Sequence, residues 1–145
     1  MSRSALKGIQ SAAGAAGDPV YVDDLFSTFL YEGNSSSRSI NNGLDLSGEG
    51  GLVWIKKRTG SENHVLTDTV RGATKTLVSN ATSAEATDTS HLTAFNSNGF
   101  SIANGNEVNQ NSQDFVSWTF RKQEKFFDIV TYTGNGGTSQ TISHN

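Results

Sequence analysis

Apolar residues in this chain come in short bursts, each closed by polar or glycine-containing positions, and the bursts read as strands rather than helices. Leu25 to Tyr31 is the first, given bulk by Phe26, Phe29 and Tyr31. Gly50 to Lys56, GGLVWIK, has the strongest core signal: a continuous apolar run closed by charge suits a strand buried on both faces or packed under a second sheet. His64 to Thr69 alternates around Val65 and Leu66, and Leu77-Val78 ends that half of the chain. Leu92 to Phe95 and Phe100 to Ile102 flank Asn98-Gly99, which predicts a hairpin by its turn chemistry. Phe115 to Phe120 alternates cleanly, with Phe115, Ser117 and Thr119 on one face and Val116, Trp118 and Phe120 on the other. The more apolar set is expected to face the core. Gly33-Asn34, Asn42-Gly43 and Asn104-Gly105 read as turns, Ser79 to Ser90 and Asn106 to Asp114 as polar loops, and Val20 to Val22 as a brief extended piece. The pattern predicts an all-β fold, a jelly-roll-like antiparallel β-sandwich, with Trp54, Phe100, Val116 and Trp118 in its core.

Residues 2–17 differ in kind. Leu6, Ile9, Ala13 and Ala16 recur at helical spacing, and Ser4 is placed to cap the start. Gly8 and Gly14 each cost such a helix about 1 kcal/mol, and so short a helix is marginal alone in water. Two readings stand for this short helical or extended arm: a tail without fixed structure, or a docking arm that orders in a groove on a partner. Gly17-Asp18-Pro19 breaks the pattern and marks a linker.

The chain also begins to repeat itself. FSTFLYEGNSSSRSINN, from Phe26 to Asn42, is echoed by FDIVTYTGNGGTSQTISHN, from Phe127 to Asn145. Phe26, Tyr31, Gly33 and Asn34 match Phe127, Tyr132, Gly134 and Asn135 at one constant spacing; after one inserted residue, Ser37 and Ile40 match Ser139 and Ile142. Each copy reads as a strand, a Gly-Asn turn and a polar strand pinned by one isoleucine. Self-similarity at a fixed period points to modules. The expected organisation is an attachment arm over 1–19, a β-sandwich module over 20–125, and the first hairpin of a second, truncated module over 126–145.

Composition agrees with a strand-and-turn protein: 34% of the 145 residues are hydrophobic, against 15 glycines. With no cysteine there is neither a disulfide nor a thiolate nucleophile or ligand. A net charge of −3 speaks against tracking nucleic-acid phosphates, and Lys56-Lys57-Arg58 is too short a basic run to change that. No stretch has the length of a membrane span, and MSRSALKG lacks the apolar core of a signal peptide, so the expectation is a protein made in a cytosol. His64, His91 and His144 lie far apart, without metal-ligand spacing. The oxygen-rich stretches Asp45–Glu49 and Asn104–Asp114 suit calcium a little better than other metals but lack the spacing of a calcium loop, so exposed turns are the default reading. Gly48, Gly50 and Gly51 lack the Lys-Ser/Thr ending of a phosphate loop. No residue pattern argues for a reaction, a cofactor or a metal.

Taken in order, SALKGIQSAAGAAG, YVDDLFSTFLYEGN, NNGLDLSGEGGLVWIKKR, TDTVRGATKTL, LTAFNSNGFSI, FVSWTFRK and FFDIVTYTGNG resemble the start of tail-fibre proteins of short-tailed marine bacteriophages, particularly those of cyanobacteria. The likeness covers nearly the whole chain. It implies concanavalin-like or laminin-G-like sandwich modules and a structural virion protein of the tail, not an enzyme. It also implies a homotrimer whose N-terminal part holds the tail adaptor and nozzle proteins, while distal parts absent from this chain meet the host surface. Leu6, Ile9, Ala13, Ala16 and Tyr21 are the expected docking residues. The alternative is a lectin-like module, in which turn asparagines and aromatic residues build a rim for host glycans.

Overall fold

In a computed structural model, which describes residues 19–144, a short 3-10 turn at Val22–Asp24 leads into nine strands. They are β1 (Phe26–Glu32), β2 (Arg38–Asn41), β3 (Gly51–Lys57), β4 (Val65–Asp68), β5 (Lys75–Val78), β6 (Ala86–Thr87), β7 (Leu92–Asn96), β8 (Gly99–Ile102) and β9 (Asp114–Arg121). A single helical turn, α1 (Asn106–Asn109), joins β8 to β9. The strands form a six-stranded sheet ordered β1-β9-β3-β4-β5-β6 and a three-stranded sheet ordered β2-β8-β7, every pair antiparallel. The chain changes sheet after β1, β2, β6 and β8, which is the jelly-roll-like wrapping the sequence predicts. The arm with Leu6, Ile9, Ala13 and Ala16 lies outside the described residues.

The two sheets close on one core. Tyr31, Val53, Ile55, Val65 and Phe115 of the large sheet meet Ile40, Leu92, Phe100 and Ile102 of the small one, with Leu44, Leu46 and Val108 filling the ends. The predicted β7–β8 hairpin is present, pairing Asn96 with Gly99. Gly99 is required there: its φ is +132°, and a Cβ would stand 2.0 Å from the Ile40 carbonyl oxygen.

Three expectations need correction. First, Phe26 to Asn42 is not a hairpin. β1 pairs with β9 and β2 with β8, so the Gly33-Asn34 segment carries the chain from one sheet to the other. Both strands find partners late in the chain, which no local turn signal reports. Second, both polar loops hold regular structure: Ser79–Ser90 contains β6, and Asn106–Asp114 contains α1 with the fully buried Asn109. Third, the faces of β9 are reversed. Phe115, Ser117 and Thr119 are completely buried, while Trp118 and Phe120 are half-buried on the outer side. Of the four residues assigned to the core, Phe100 and Val116 are buried, and Trp54 and Trp118 are half-buried on the outer face. The inner set includes small residues because Ser117 faces Phe29 on one side and Ile55 on the other, and a large side chain between them would overfill the layer.

After Phe127 the described chain forms no strand. The copy of β1 and β2 lies mostly exposed, tied down by Phe127 stacked on Phe120 (5.1 Å between centroids) and by Lys122 Nζ 3.1 Å from Asp128 Oδ1. Partly exposed pairs of this kind contribute little. A chain ended at Lys125 is therefore expected to lose about 1 kcal/mol in urea denaturation. A loss above about 3 kcal/mol, the size of a missing core element, would mean that this tail completes the sandwich.

Candidate functional site

Opposed residues of an antiparallel pair share a face, so the register lays out the outer side of the large sheet in rows. One row runs Thr28, Trp118, Trp54, Leu66 and Leu77 across β1, β9, β3, β4 and β5. Beside it run Phe26, Phe120 and Leu52, and on the other flank Leu30, Val116 and Lys56. Trp54 and Trp118 meet edge to face with centroids 5.4 Å apart, and Phe26 sits 4.9 Å from Phe120. Leu30 is 58% exposed and Leu77 37%. The result is an apolar, ring-rich strip across five strands, on which Phe127 stacks at Phe120 and which leaves Leu30 and Leu77 exposed among the described residues. Exposed strips of this kind are characteristic of association surfaces.

The polar groups bordering the strip are poorly satisfied. Trp54 Nε1 and His64 Nδ1 are shielded from solvent without a hydrogen-bond partner among the described residues. His64 lies 6.0 Å from the Trp54 ring, and its loss of hydration, with Lys56 nearby, holds it below the usual histidine range.

Of the sequence-predicted site residues, Tyr21 alone falls within the described residues. Leu6, Ile9, Ala13 and Ala16 lie outside the described residues. Tyr21 is half-buried before the 3-10 turn, its backbone N–H donating to Asp24 Oδ2 at 3.0 Å and so setting the entry into β1. The strip itself was missed, although a signal existed: β3 and β9 carry large apolar residues at both parities, more than one core can take.

Two further clusters have the chemistry of sites but are otherwise employed. The Asp45 carboxylate accepts from Gly48 N at 2.8 Å and Ser47 Oγ at 3.1 Å, and the Gly48 N–H above all holds it below the usual carboxylate range. Asp45 closes its own turn, which favours the exposed-turn reading over a calcium ligand. His91 Nδ1 lies 3.5 Å from Thr76 Oγ1, while its Nε2 lies 3.4 Å from Asp88 Oδ2 and 3.3 Å from Glu107 Oε2. This has the order of a hydroxyl–imidazole–carboxylate relay, but Thr76 and His91 are both buried beyond the reach of a substrate. It ties β5, the start of β7 and α1 together. Hydrogen bonds from Ser90 chiefly hold Asp88 below the usual carboxylate range. Among the described residues no group of three His, Cys, Asp or Glu side chains is placed to hold a metal, and no helix is long and apolar enough to cross a membrane.

At one end of the sandwich an open cleft is lined by Leu46 to Gly50, Thr69, Val70, Phe95 and Lys122. Phe95 stands there among polar side chains.

No curated protein and no solved structure matches the chain. A family model does match, over residues 22–145, which takes in the whole sandwich and the repeated segment after it. The chain belongs to the family described as Domain of unknown function (DUF7483).

Proposed function

We propose that this chain is the N-terminal part of a phage tail fibre, a structural module that anchors the fibre to the tail adaptor and nozzle and so supports host attachment. The observation that carries the reading is the partly exposed apolar strip on β1, β9, β3, β4 and β5. Leu30, Trp118, Trp54, Leu66 and Leu77 make a surface suited to burial against neighbouring copies in a homotrimer. The arm, with Leu6, Ile9, Ala13 and Ala16, and Tyr21 at its root supply the contact with the tail proteins in this reading, and the resemblance of the segments from SALKG to YTGNG supports it.

The test is Leu30→Glu combined with Leu77→Glu. Both side chains are exposed, so the module stays folded, its melting temperature moving by a few degrees at most. The parent chain is expected to run as a trimer in light scattering and the variant as a monomer. Virions carrying the variant should lack fibres. A parent chain that is monomeric at every concentration, or variant virions with a full set of fibres, would overturn the reading.

A second reading, a carbohydrate-binding module, is favoured by the end cleft, where Phe95 offers a ring for stacking among Thr69, Glu49 and Lys122. It requires that host-surface polysaccharide bind the chain and that Phe95→Ala abolish that binding.

A further inference from the structure

The repeat after β9 copies more than residue types. In the first copy, Asn34 Oδ1 accepts from Ser36 N at 3.0 Å, Ser35 is left-handed with φ 51°, and Arg38 Nη1 donates to the Glu32 carbonyl oxygen at 3.0 Å. In the second, Asn135 Oδ1 accepts from Gly137 N at 2.9 Å, Gly136 has φ 69°, and Gln140 Nε2 donates to the Thr133 carbonyl oxygen at 3.1 Å. These are the corresponding positions. The same turn is built twice, with the same side-chain clamp closing its neck.

The difference lies in what each turn docks into. Tyr31 stacks on Phe115 at 5.3 Å and donates from its hydroxyl to the Val108 carbonyl oxygen at 2.7 Å. Gly33 N donates to the Gln113 carbonyl oxygen at 2.8 Å, and Asn34 N donates to Asn109 Oδ1 at 3.0 Å. Gly33 is seated so tightly that a Cβ would stand 2.1 Å from the Gln110 carbonyl oxygen. Tyr132, by contrast, is 66% exposed, and a Cβ on Gly134 would meet nothing within 4 Å. The second copy has the shape and side chains of the first without its seat.

That seat is within reach. Gln123 and Phe127 form an antiparallel bridge, with Lys125 at φ 64°, so the chain has already reversed direction after β9. Phe127 already stacks on Phe120, the residue that Phe26 faces in the β1–β9 register. Placed in the β1–β9 register, with Phe127 opposite Phe120, the repeat sets Tyr132 opposite Phe115, where Tyr31 now lies; the observed Gln123–Phe127 bridge is three residues out of that register and has to open for the exchange. We infer that residues 127–135 are an alternative occupant of the place of β1 against β9, and that the module exchanges one strand for the other by forming a β9–repeat hairpin. β1 holds the place in the observed state for a readable reason. The repeat has Val130 where Phe29 packs on the core, and Asp128 where Ser27 faces Thr119, so exchange gives up ring contact and desolvates a carboxylate. Exchange would free β1, and everything before it, while the sandwich keeps six strands in its large sheet. The inference concerns the module alone and does not depend on the fibre reading.

The test uses the full chain. Gly33→Val unseats the first turn; Gly134→Val alone touches nothing. In Gly33→Val, amide-exchange protection is expected to fall at least tenfold over 26–34 and to rise at least tenfold over 129–135 in a folded chain. Adding Gly134→Val should then unfold the chain. If Gly33→Val is as unstable as the double variant, with no protection gained over 129–135, the inference fails. The cysteine-free background allows an independent check at the Leu30–Val116 pair, since Thr131 repeats Leu30. Val116→Cys with Thr131→Cys is expected to form a disulfide within one chain under oxidising conditions. No disulfide, or a disulfide only between two chains, overturns exchange within the chain.

Discussion

Phe115→Ala is expected to cost the fold about 3–5 kcal/mol in urea denaturation, whereas Trp118→Ala, three residues along the same strand, costs roughly 1–2 kcal/mol. The larger side chain gives the smaller loss because it stands on the outer face. Phe115 is fully buried, stacked on Tyr31 and within the cluster that joins both sheets. Its removal leaves a cavity that Tyr31, held by its hydroxyl to the Val108 carbonyl oxygen, is not free to fill. Trp118 is half-buried, and truncation there opens a hollow to water, so only the lost burial counts. Equal losses at the two sites would show that the outer face is covered in the isolated chain.

That contrast also marks the boundary of what the residue pattern reveals. Alternation in Phe115–Phe120 identifies a strand and sorts its side chains into two sets, but a period of two does not say which set points inward. The usual guide, that the more apolar set is inside, fails here because both faces of β9 are put to use. Only the register makes this visible, with Ser117 between Phe29 and Ile55 on one side and Trp118 beside Trp54 on the other. Strands defined by local signals were legible in sequence: β3 by its apolar run, β4 by Val65 and Leu66, and β7–β8 by Asn98-Gly99. Pairings made across the chain were not, and the β1–β9 and β2–β8 pairs are of that kind. The rows of the outer strip were hidden for the same reason, since they exist only once five strands are in register, although the apolar residues at both parities of β3 and β9 signalled a second apolar face. The set of repeated residues was legible, and the fold shows what its first copy does: Tyr31, Gly33 and Asn34 seat the first turn.

The least legible residue is Asn109, a polar side chain in a polar stretch that proves to be fully buried. Its Nδ2 donates to the carbonyl oxygens of Ser36 at 2.7 Å and Ala103 at 2.8 Å and contacts Asn34 Oδ1 at 3.2 Å, while its Oδ1 accepts from Asn34 N at 3.0 Å. One carboxamide thus joins α1, the end of β8 and the segment after β1. Asn109→Asp keeps the shape and reverses the hydrogen-bonding sense of one arm. Three acceptors then face a carboxylate oxygen instead of an amide, at about 1–3 kcal/mol for each buried group left without a donor. The expected loss at pH 7 is roughly 3–5 kcal/mol, with the melting temperature falling accordingly. The sign of the pH dependence follows from burial: a carboxylate here is desolvated and faces oxygen atoms, so its folded-state pKa rises above the unfolded value. Such a group is least harmful below the unfolded pKa, where it is protonated in both states, and its penalty grows as pH rises through the folded-state pKa. The gap between Asn109→Asp and the parent chain should therefore narrow on acidification, measured as the difference between paired denaturation curves at each pH. A gap independent of pH, or below about 1 kcal/mol at neutral pH, would mean that the segment after β1 is held by its strand pairing and not by the Asn109 carboxamide.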